Sequence, residues 1–169
     1  MKDEGRICHI LSVLFRYPEE WLDDIDDQIT SELSGIQNED AAARLAKFVQ
    51  DLQVKEREEA LERYVETFDF SERTNLYLTS HLMEDKQERG RRLAELKDFY
   101  AEAGVLMTEE ELPDYLPLVL EFCFLKPEYA PKILKRFEAA IRELTGNLSE
   151  LNSPYAKLMQ VLALVMEKN

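Results

Sequence analysis

The sequence predicts an all-α protein, and its composition and patterning both favour that fold class. Hydrophobic residues make up 45% of the 169 residues and charged residues 33%, enough apolar material for a core beneath a strongly charged surface. Glycine and proline are scarce, at 5 and 6 residues, so few sharp turns are available for a chain of many short strands. We expect a single domain over 1–169, a helical bundle around a buried central helix near 115–125.

Four amphipathic segments fill the first part of the chain. In each, apolar residues recur three or four positions apart and so share one face of a helix. Asn38 precedes the third segment and is expected to cap its N-terminus. The four apolar stripes are Ile7, Ile10, Leu11, Leu14 and Phe15; Trp21, Leu22, Ile25, Ile29 and Leu33; Ala42, Leu45, Phe48, Val49 and Leu52; and Leu61, Tyr64, Val65 and Phe68.

The middle of the chain is less regular. Asp69 or Ser71 is placed to cap a helix beginning near Glu72. The stretch NLYLTSHL at 75–82 alternates as a strand does, but its neighbours are helical, and we predict a helix there. A clear helix is expected over 86–103.

Gly104 stands just after that helix, where a left-handed backbone conformation commonly ends a helix. Thr108 to Glu111 has the T-x-x-E form of a capping box, which predicts another helix start. The segment YLPLVLEFCFL at 115–125 is apolar apart from Glu121, as is typical of a helix buried on all sides. Pro117 lies early enough to be tolerated in its first turn.

Two more helices complete the chain. One is expected from about 131 to 145, stopping near Gly146. The other begins at Ser153–Pro154, where serine caps the helix and proline occupies its first position.

The charge and the cysteines restrict the function. With 21 basic and 35 acidic residues the net charge is −14, which disfavours nucleic-acid binding and suits either a basic partner or simple solubility. Cys8 and Cys123 form no CxxC pair and are expected to be buried, inert thiols. The N-terminus lacks the features of a signal peptide, and no apolar run is long enough to span a membrane. We expect a cytoplasmic protein without stable membrane association.

Motifs for catalysis and metal binding are missing from the sequence. It contains no GxGxxG, P-loop, HExxH or GxSxG pattern. His9 and His81 are its only histidines, and neither follows an acidic residue three positions earlier, as a di-iron helical bundle requires. The sequence therefore predicts no catalytic residue, metal or cofactor. His81 is expected to be a partly buried residue with one hydrogen bond.

Two groups of residues are candidates for binding. Asp114, Pro117, Leu118 and Glu121 are spaced to share one helical stripe, and their two acids would suit a basic, amphipathic segment. Equally, Glu121 could form a structural ion pair with an arginine. The second group contains the aromatics Tyr64, Phe68, Phe70 and Tyr77, which either belong to the core or line a groove.

Three longer motifs resemble a known family. YVETFDFSERTNLYLTSH at 64–81, ERGRRLAELKDFYAEAG at 88–104 and ELPDYLPLVLEF at 111–122 are similar to the nitrate reductase assembly chaperones, the NarJ branch of the NarJ, TorD and DmsD redox-enzyme maturation chaperones. LSVLFRYPEEW at 11–21 fits the N-terminal helix of that family. The chain differs at Tyr115, where many relatives carry histidine, and at LMEDKQ, where they have a glycine-containing turn.

The resemblance implies an all-α, non-enzymatic chaperone without its own cofactor. Such a chaperone binds the N-terminal tail of the nitrate reductase catalytic (alpha) subunit until the molybdenum cofactor and iron–sulfur cluster are inserted, before membrane docking. Relatives can swap helices, so we expect a monomer that is also able to dimerise. The expected peptide-binding residues are Tyr64, Phe68, Phe70, Tyr77, His81, Asp114, Tyr115, Pro117, Leu118, Glu121 and Phe122.

Two other classes remain open from the sequence. A helical enzyme or metal carrier lacks support from the motifs described above. A helical adaptor or regulatory protein that binds another basic amphipathic segment shares the same composition and charge.

Overall fold

The prediction of an all-α fold is confirmed. The computed structural model describes residues 2–108 and 110–168, apart from the side chain of Asp26, and in this part of the chain it has nine α-helices and no strand. The helices are α1 (Asp3–Leu14), α2 (Thr30–Ser34), α3 (Glu39–Gln53), α4 (Arg57–Tyr64), α5 (Lys86–Glu102), α6 (Leu116–Leu125), α7 (Ala130–Arg136), α8 (Glu138–Glu150) and α9 (Tyr155–Glu167).

The core is built around the contact between α1 and α6. The expected stripe of α1 is fully buried, and α6 buries Leu116, Val119, Leu120, Phe122 and Cys123. Helix α9 packs against α1, α3 and α8 and closes the core from another side. The expected central helix is therefore confirmed, but it is not buried all round, because Leu125 is 51% exposed and Glu121 is half-buried.

Several helix ends form as their sequences predict. The Asn38 side chain accepts a hydrogen bond from the backbone N–H of Ala41 at 3.1 Å and caps α3. Gly104 has φ +81°, the left-handed conformation expected after α5. Helix α9 begins at Tyr155, one residue later than predicted, with Pro154 rather than Ser153 at its N-cap position.

The second amphipathic segment is not one continuous helix. Short 3₁₀ turns at Pro18–Glu20 and Leu22–Asp24 lead into a π-helical turn at Ile25–Ile29 and then α2. Trp21, Ile25 and Ile29, which are four residues apart, are all buried. Because an α-helix has 3.6 residues per turn, such a spacing drifts around its axis, and a wider π turn keeps these side chains on one side. A second π turn at Val65–Asp69 follows Tyr64. It likewise keeps two buried residues that are four positions apart, Tyr64 and Phe68, on one side.

The prediction of a helix from Glu72 through 75–82 is wrong. That segment consists of turns, an isolated antiparallel bridge between Tyr77 and Tyr115, and a 3₁₀ turn at Leu78–His81. The Asn75 side chain accepts hydrogen bonds from the Tyr77 N–H at 3.0 Å and the Ser80 hydroxyl at 2.9 Å. Such local bonds compete with the helical ones.

Two other helix boundaries differ from the prediction. The helix expected over 131–145 is divided at Phe137 into α7 and α8, and α8 continues through Gly146 because Leu144 and Leu148 on either side of it are buried. The capping box expected at Thr108–Glu111 starts no helix at the residues described there, and Glu109 lies outside the described residues. None of the helices described is both long and apolar enough to span a lipid bilayer.

Candidate functional site

Four tyrosines from distant parts of the sequence meet at the surface, and we call Tyr17, Tyr64, Tyr77 and Tyr115 the tyrosine patch. The ring centroids of Tyr17 and Tyr64 lie 5.6 Å apart, and those of Tyr77 and Tyr115 lie 5.3 Å apart. The hydroxyl oxygens of Tyr64 and Tyr115 are 3.3 Å apart and join the two pairs. Tyr64 is buried and the other three are half-buried, so the patch offers ring surface to a partner.

The bridge between two chain segments places Tyr77 beside Tyr115. The N–H of Leu78 donates to the carbonyl of Asp114 at 3.1 Å, and the N–H of Leu116 donates to the carbonyl of Leu76 at 2.8 Å. These two bonds fix the residues before α6 against the turn that replaces the expected helix. The irregular backbone at 72–82 therefore builds one half of the patch.

Charged and apolar side chains surround the patch. The Tyr77 hydroxyl donates to the Glu111 carboxylate, and Arg16 pairs with Glu121 at 3.0 Å. Leu112 is 44% exposed, and Leu118 is half-buried on the first turn of α6. The result is an aromatic and aliphatic surface with two carboxylates beside it.

The hydroxyl groups of Tyr64, Tyr77 and Tyr115 are neutral at physiological pH. Burial raises the pKa of Tyr64, Tyr77 and Tyr115, and in Tyr77 the hydrogen bond to Glu111 raises the pKa further. Chemically, the patch offers mainly ring faces, since the hydroxyls of Tyr64, Tyr77 and Tyr115 are already hydrogen-bonded within the protein.

Asp114 does not lie on the expected helical stripe. Helix α6 begins at Leu116, and the Asp114 side chain is completely buried before it. Oδ2 of Asp114 accepts hydrogen bonds from the Thr79 N–H at 2.9 Å and from the Thr79 hydroxyl at 2.6 Å. The stripe of Asp114, Pro117, Leu118 and Glu121 is therefore wrong as a common exposed face, since Pro117 is buried as well.

Glu121 takes the structural partner that the sequence left open. Its carboxylate pairs with Arg16 at 3.0 Å, with both side chains well exposed, at 47% for Glu121 and 37% for Arg16. An ion pair this exposed contributes little to stability. The same exposure leaves the Glu121 carboxylate accessible to a basic partner.

The other expected site residues lie in different environments. Phe68 is buried, with its ring 4.7 Å from Tyr155 and 4.8 Å from Tyr64. Phe122 is buried in a second aromatic cluster, where its ring centroid lies 4.5 Å from that of Tyr100.

Phe70 and His81 are also outside the tyrosine patch. Phe70 is 82% exposed. His81 is half-buried, and its Nε2 donates a hydrogen bond to the carbonyl of Asn75 at 2.8 Å. This agrees with the expectation of a partly buried residue with one hydrogen bond.

Sequence reasoning missed several residues that build the patch. Arg16 and Tyr17 directly follow the apolar stripe of α1, where periodicity gives no sign of a site. Glu111 lies in the ELPD motif, but the motif gives no sign that its carboxylate meets Tyr77. Thr79 and Arg89 hold Asp114 through contacts that span ten or more positions of sequence. The one sequence signal for these five residues is that each lies inside one of the family motifs at 11–21, 64–81, 88–104 and 111–122.

In the described part of the chain, no group of three or more His, Cys, Asp or Glu side chains is arranged to hold a metal ion. Cys8 and Cys123 are buried as expected, each 1% exposed. The neighbouring Cys8 thiol, together with burial, raises the pKa of Cys123.

Two sizeable cavities share no residue with the tyrosine patch. One of about 670 Å³ lies among α7, α8 and α9, with Leu134, Ile141 and Met166 in its lining. Another of about 640 Å³ has Cys8, Cys123 and Phe124 in its lining. These cavities provide control positions for tests of the patch.

Three curated proteins show how this chain relates to known ones. The probable nitrate reductase molybdenum cofactor assembly chaperone NarJ of Bacillus subtilis (strain 168) is 38% identical over 159 residues, which span 93% of this chain and 86% of that protein. The nitrate reductase molybdenum cofactor assembly chaperone NarJ of Escherichia coli (strain K12) is 31% identical over 157 residues, 90% of this chain and 66% of that protein. The nitrate reductase-like protein NarX of Mycobacterium tuberculosis (strain ATCC 25618 / H37Rv) is 33% identical over 146 residues, 86% of this chain but 22% of NarX.

Fold and site together define an all-α protein with an aromatic surface patch beside carboxylates. A sequence profile described as nitrate reductase delta subunit matches residues 35–160, well over half of the chain. The chain therefore belongs to the nitrate reductase delta subunit family. The resemblance deduced from its motifs is confirmed at that level.

Proposed function

We propose that this chain is a system-specific chaperone for respiratory nitrate reductase. Residues 1–169 act as one helical chaperone domain that binds the N-terminal tail of the apo catalytic subunit. Bound in this way, the catalytic subunit receives its molybdenum cofactor and iron–sulfur cluster in the cytoplasm, before it docks at the membrane. The chaperone itself performs no catalysis. The observation that carries the proposal is the tyrosine patch with Glu111 and Glu121 beside it, in a chain whose relatives are named as assembly chaperones.

The patch has the chemistry of a receptor for an amphipathic, basic segment. Apolar side chains of such a segment pack on the rings of Tyr17, Tyr77 and Tyr115 and on Leu118, in the manner of a helix in a groove. Its lysine or arginine residues pair with Glu121 and with Glu111. Tyr64 and Phe68 support the rings from the core side.

The net charge of −14 assists the encounter. A basic tail is attracted to the acidic surface, which raises the rate of association and favours the right partner. Ordering a flexible tail costs free energy, so the affinity stays moderate. A moderate affinity suits a chaperone that must release its client.

The test uses the whole client protein. The apo catalytic subunit is co-expressed with this chain, once complete and once without its N-terminal tail, and co-purification is measured. We expect the complete subunit to co-purify and the truncated one to be lost. Equal recovery of both would show that the tail is not the binding element.

A cofactor assay tests the chaperone role separately. In a strain that lacks its own assembly chaperone, expression of this chain should restore the molybdenum content of the nitrate reductase. Unchanged molybdenum content, with the catalytic subunit still bound, would favour the alternative, a helical adaptor or regulatory protein that binds a basic amphipathic segment. The same acidic aromatic patch is what keeps this alternative open.

A further inference from the structure

The Asp114 carboxylate lies beneath the tyrosine patch. The side chain has 0% exposure, although the sequence motif suggests an acid that meets a basic partner. Both hydrogen bonds to its Oδ2 come from a single residue, Thr79, through the backbone N–H and the hydroxyl. A bound peptide therefore has no direct path to this carboxylate in the structure.

Asp114 ends a chain of contacts that begins on α5. Nε of Arg89 donates to the Thr79 hydroxyl oxygen at 2.9 Å, and that hydroxyl donates to Oδ2 of Asp114 at 2.6 Å. A second nitrogen of the same guanidinium lies 3.9 Å from that Oδ2. Three segments are joined in this way: α5, the 3₁₀ turn at Leu78–His81, and the residues that precede α6.

This chain of contacts adjoins the two outer tyrosines. Thr79 is two residues beyond Tyr77, and Asp114 immediately precedes Tyr115. Without the contacts of the Asp114 side chain, the two segments are still joined by the backbone hydrogen bonds from Leu78 to Asp114 and from Leu116 to Leu76, and by the bond from the Tyr77 hydroxyl to Glu111. The Thr79–Asp114 contact therefore lies next to both residues of the ring pair, whose centroids are 5.3 Å apart.

We propose that Asp114 is a positioning residue, an inference that rests on the proposed function. Through Thr79 it holds Tyr77 and Tyr115 in the arrangement that receives the tail, and it does not contact the tail itself. Preorganised ring surfaces bind with less ordering cost, so loosening the bridge weakens binding even though no contact to the peptide is removed.

The second oxygen of Asp114 makes a clean variant available. Oδ1 is buried and has no hydrogen-bond partner among the described residues. Asp114→Asn therefore keeps an oxygen for Thr79 and places its amide nitrogen where no donor is displaced, while it removes the charge. Asp114→Ala removes the contacts as well. Thr79→Val removes the hydroxyl with little change in shape, and Thr79→Ser retains it.

The experiment titrates the four variants and the wild type with the N-terminal peptide of the catalytic subunit at several salt concentrations. Each titration is done at a temperature where circular dichroism shows the variant to be folded. We expect Thr79→Val and Asp114→Ala to bind about tenfold more weakly. Thr79→Ser and Asp114→Asn should stay within about threefold of wild type, and all four should keep the wild-type salt dependence.

Two results would overturn the positioning role. One is Asp114→Asn binding as weakly as Asp114→Ala with a shallower salt dependence, because the charge itself would then meet the peptide. The other is wild-type affinity in both Thr79→Val and Asp114→Ala, because the patch would then not depend on this contact.

Amide hydrogen exchange separates this inference from the proposed function, since it requires no peptide. Leu78 and Leu116 donate the two bridge bonds, and their amides should exchange faster in Thr79→Val than in Thr79→Ser. If the wild type binds no tail, the proposed function fails and exchange alone decides the positioning role. Faster exchange in Thr79→Val would then support it, and equal exchange in both variants would overturn it.

Discussion

The hydroxyl groups of Tyr64 and Tyr115 form a directed contact 3.3 Å long between the end of α4 and the start of α6. The Tyr64 hydroxyl donates its one proton to the carbonyl of Phe15 at 2.8 Å. Tyr115 must therefore be the donor to Tyr64. Since its hydroxyl is engaged inside the protein, Tyr115 has its ring to offer a partner, and this distinction makes the patch testable.

Tyr115 variants should separate the ring from the hydroxyl. We expect Tyr115→Ala to weaken binding of the catalytic-subunit tail by about tenfold or more, because it removes an aromatic contact surface. Tyr115→Phe keeps the ring and should bind within about threefold of wild type. Calorimetric titration measures both. Equal losses in the two variants would mean that the hydroxyl is the recognition group.

Glu121→Gln should weaken tail binding and reduce its salt dependence, because the variant removes an accessible negative charge from the edge of the patch. Its free energy of unfolding should change by less than about 1 kcal/mol, since the pair with Arg16 is well exposed. Titration at several salt concentrations and urea unfolding check the two parts.

Glu150→Gln provides the matched control for Glu121→Gln. Glu150 pairs with Arg73 at 2.7 Å, with both side chains well exposed, at the end of α8. Removing this charge changes the net charge by the same amount at a position outside the patch. Equal effects of the two variants on binding would reduce the interaction to general charge attraction.

An acid placed on the apolar part of the patch should block binding. Leu118→Glu puts a carboxylate on half-buried surface beside Tyr115, where an apolar side chain of the tail would pack. Met166→Glu makes the same change at a half-buried position of the cavity among α7, α8 and α9. We expect loss of binding, by about tenfold or more, only in Leu118→Glu. The reverse pattern would move the peptide site to that cavity.

Tyr155→Phe should leave the protein as stable as wild type at neutral pH, or more stable by up to about 1 kcal/mol. The Tyr155 hydroxyl is buried and has no hydrogen-bond partner among the described residues. Tyr64→Phe, in contrast, removes a 2.8 Å bond to Phe15 and should cost about 1 kcal/mol. Urea unfolding at neutral pH compares the two variants.

Tyr155 also makes the stability of the protein depend on pH, and the sign of this dependence follows from its pKa. Burial raises the pKa of Tyr155 above its usual value of about 10, so the unfolded chain loses the proton before the folded protein does. Its contribution to stability is complete below about pH 10 and is lost as the pH rises further. Tyr155→Phe should therefore lose less stability than wild type in alkaline solution. An identical alkaline loss in both proteins would contradict this assignment.

The regular part of the fold could be predicted because periodicity reports burial directly. The stripes of α1 and α3, the Asn38 cap and Gly104 depend on residues within one or two turns of each other. The sequence-based predictions are wrong where a tertiary contact or a local side-chain contact replaces the regular pattern. The turns at 72–82 form because Asn75 and Asp114 bond the backbone there, and the hydrogen-bonding role of Asp114 depends on Thr79, 35 positions away.

The candidate site could be predicted only in part for the same reason. Tyr64, Tyr77, Tyr115, Leu118 and Glu121 were expected from aromatic composition, spacing and family motifs. Whether an aromatic residue is core or surface is not encoded in its own identity, so Phe68 and Phe122 turned out to be buried while Phe70 is exposed. Tyr17 enters the site because the 3₁₀ turn at Pro18–Glu20, which it directly precedes, packs against α4.

The central claim is that the tyrosine patch binds the N-terminal tail of the catalytic subunit in a sequence-specific way. The most direct measurement is a calorimetric titration of the purified protein with that peptide, alongside a scrambled peptide of equal charge. We predict saturable binding of the native peptide by the wild type, weak binding by Leu118→Glu, and no saturable binding of the scrambled peptide. Equal binding of both peptides, or undiminished binding by Leu118→Glu, would contradict the claim.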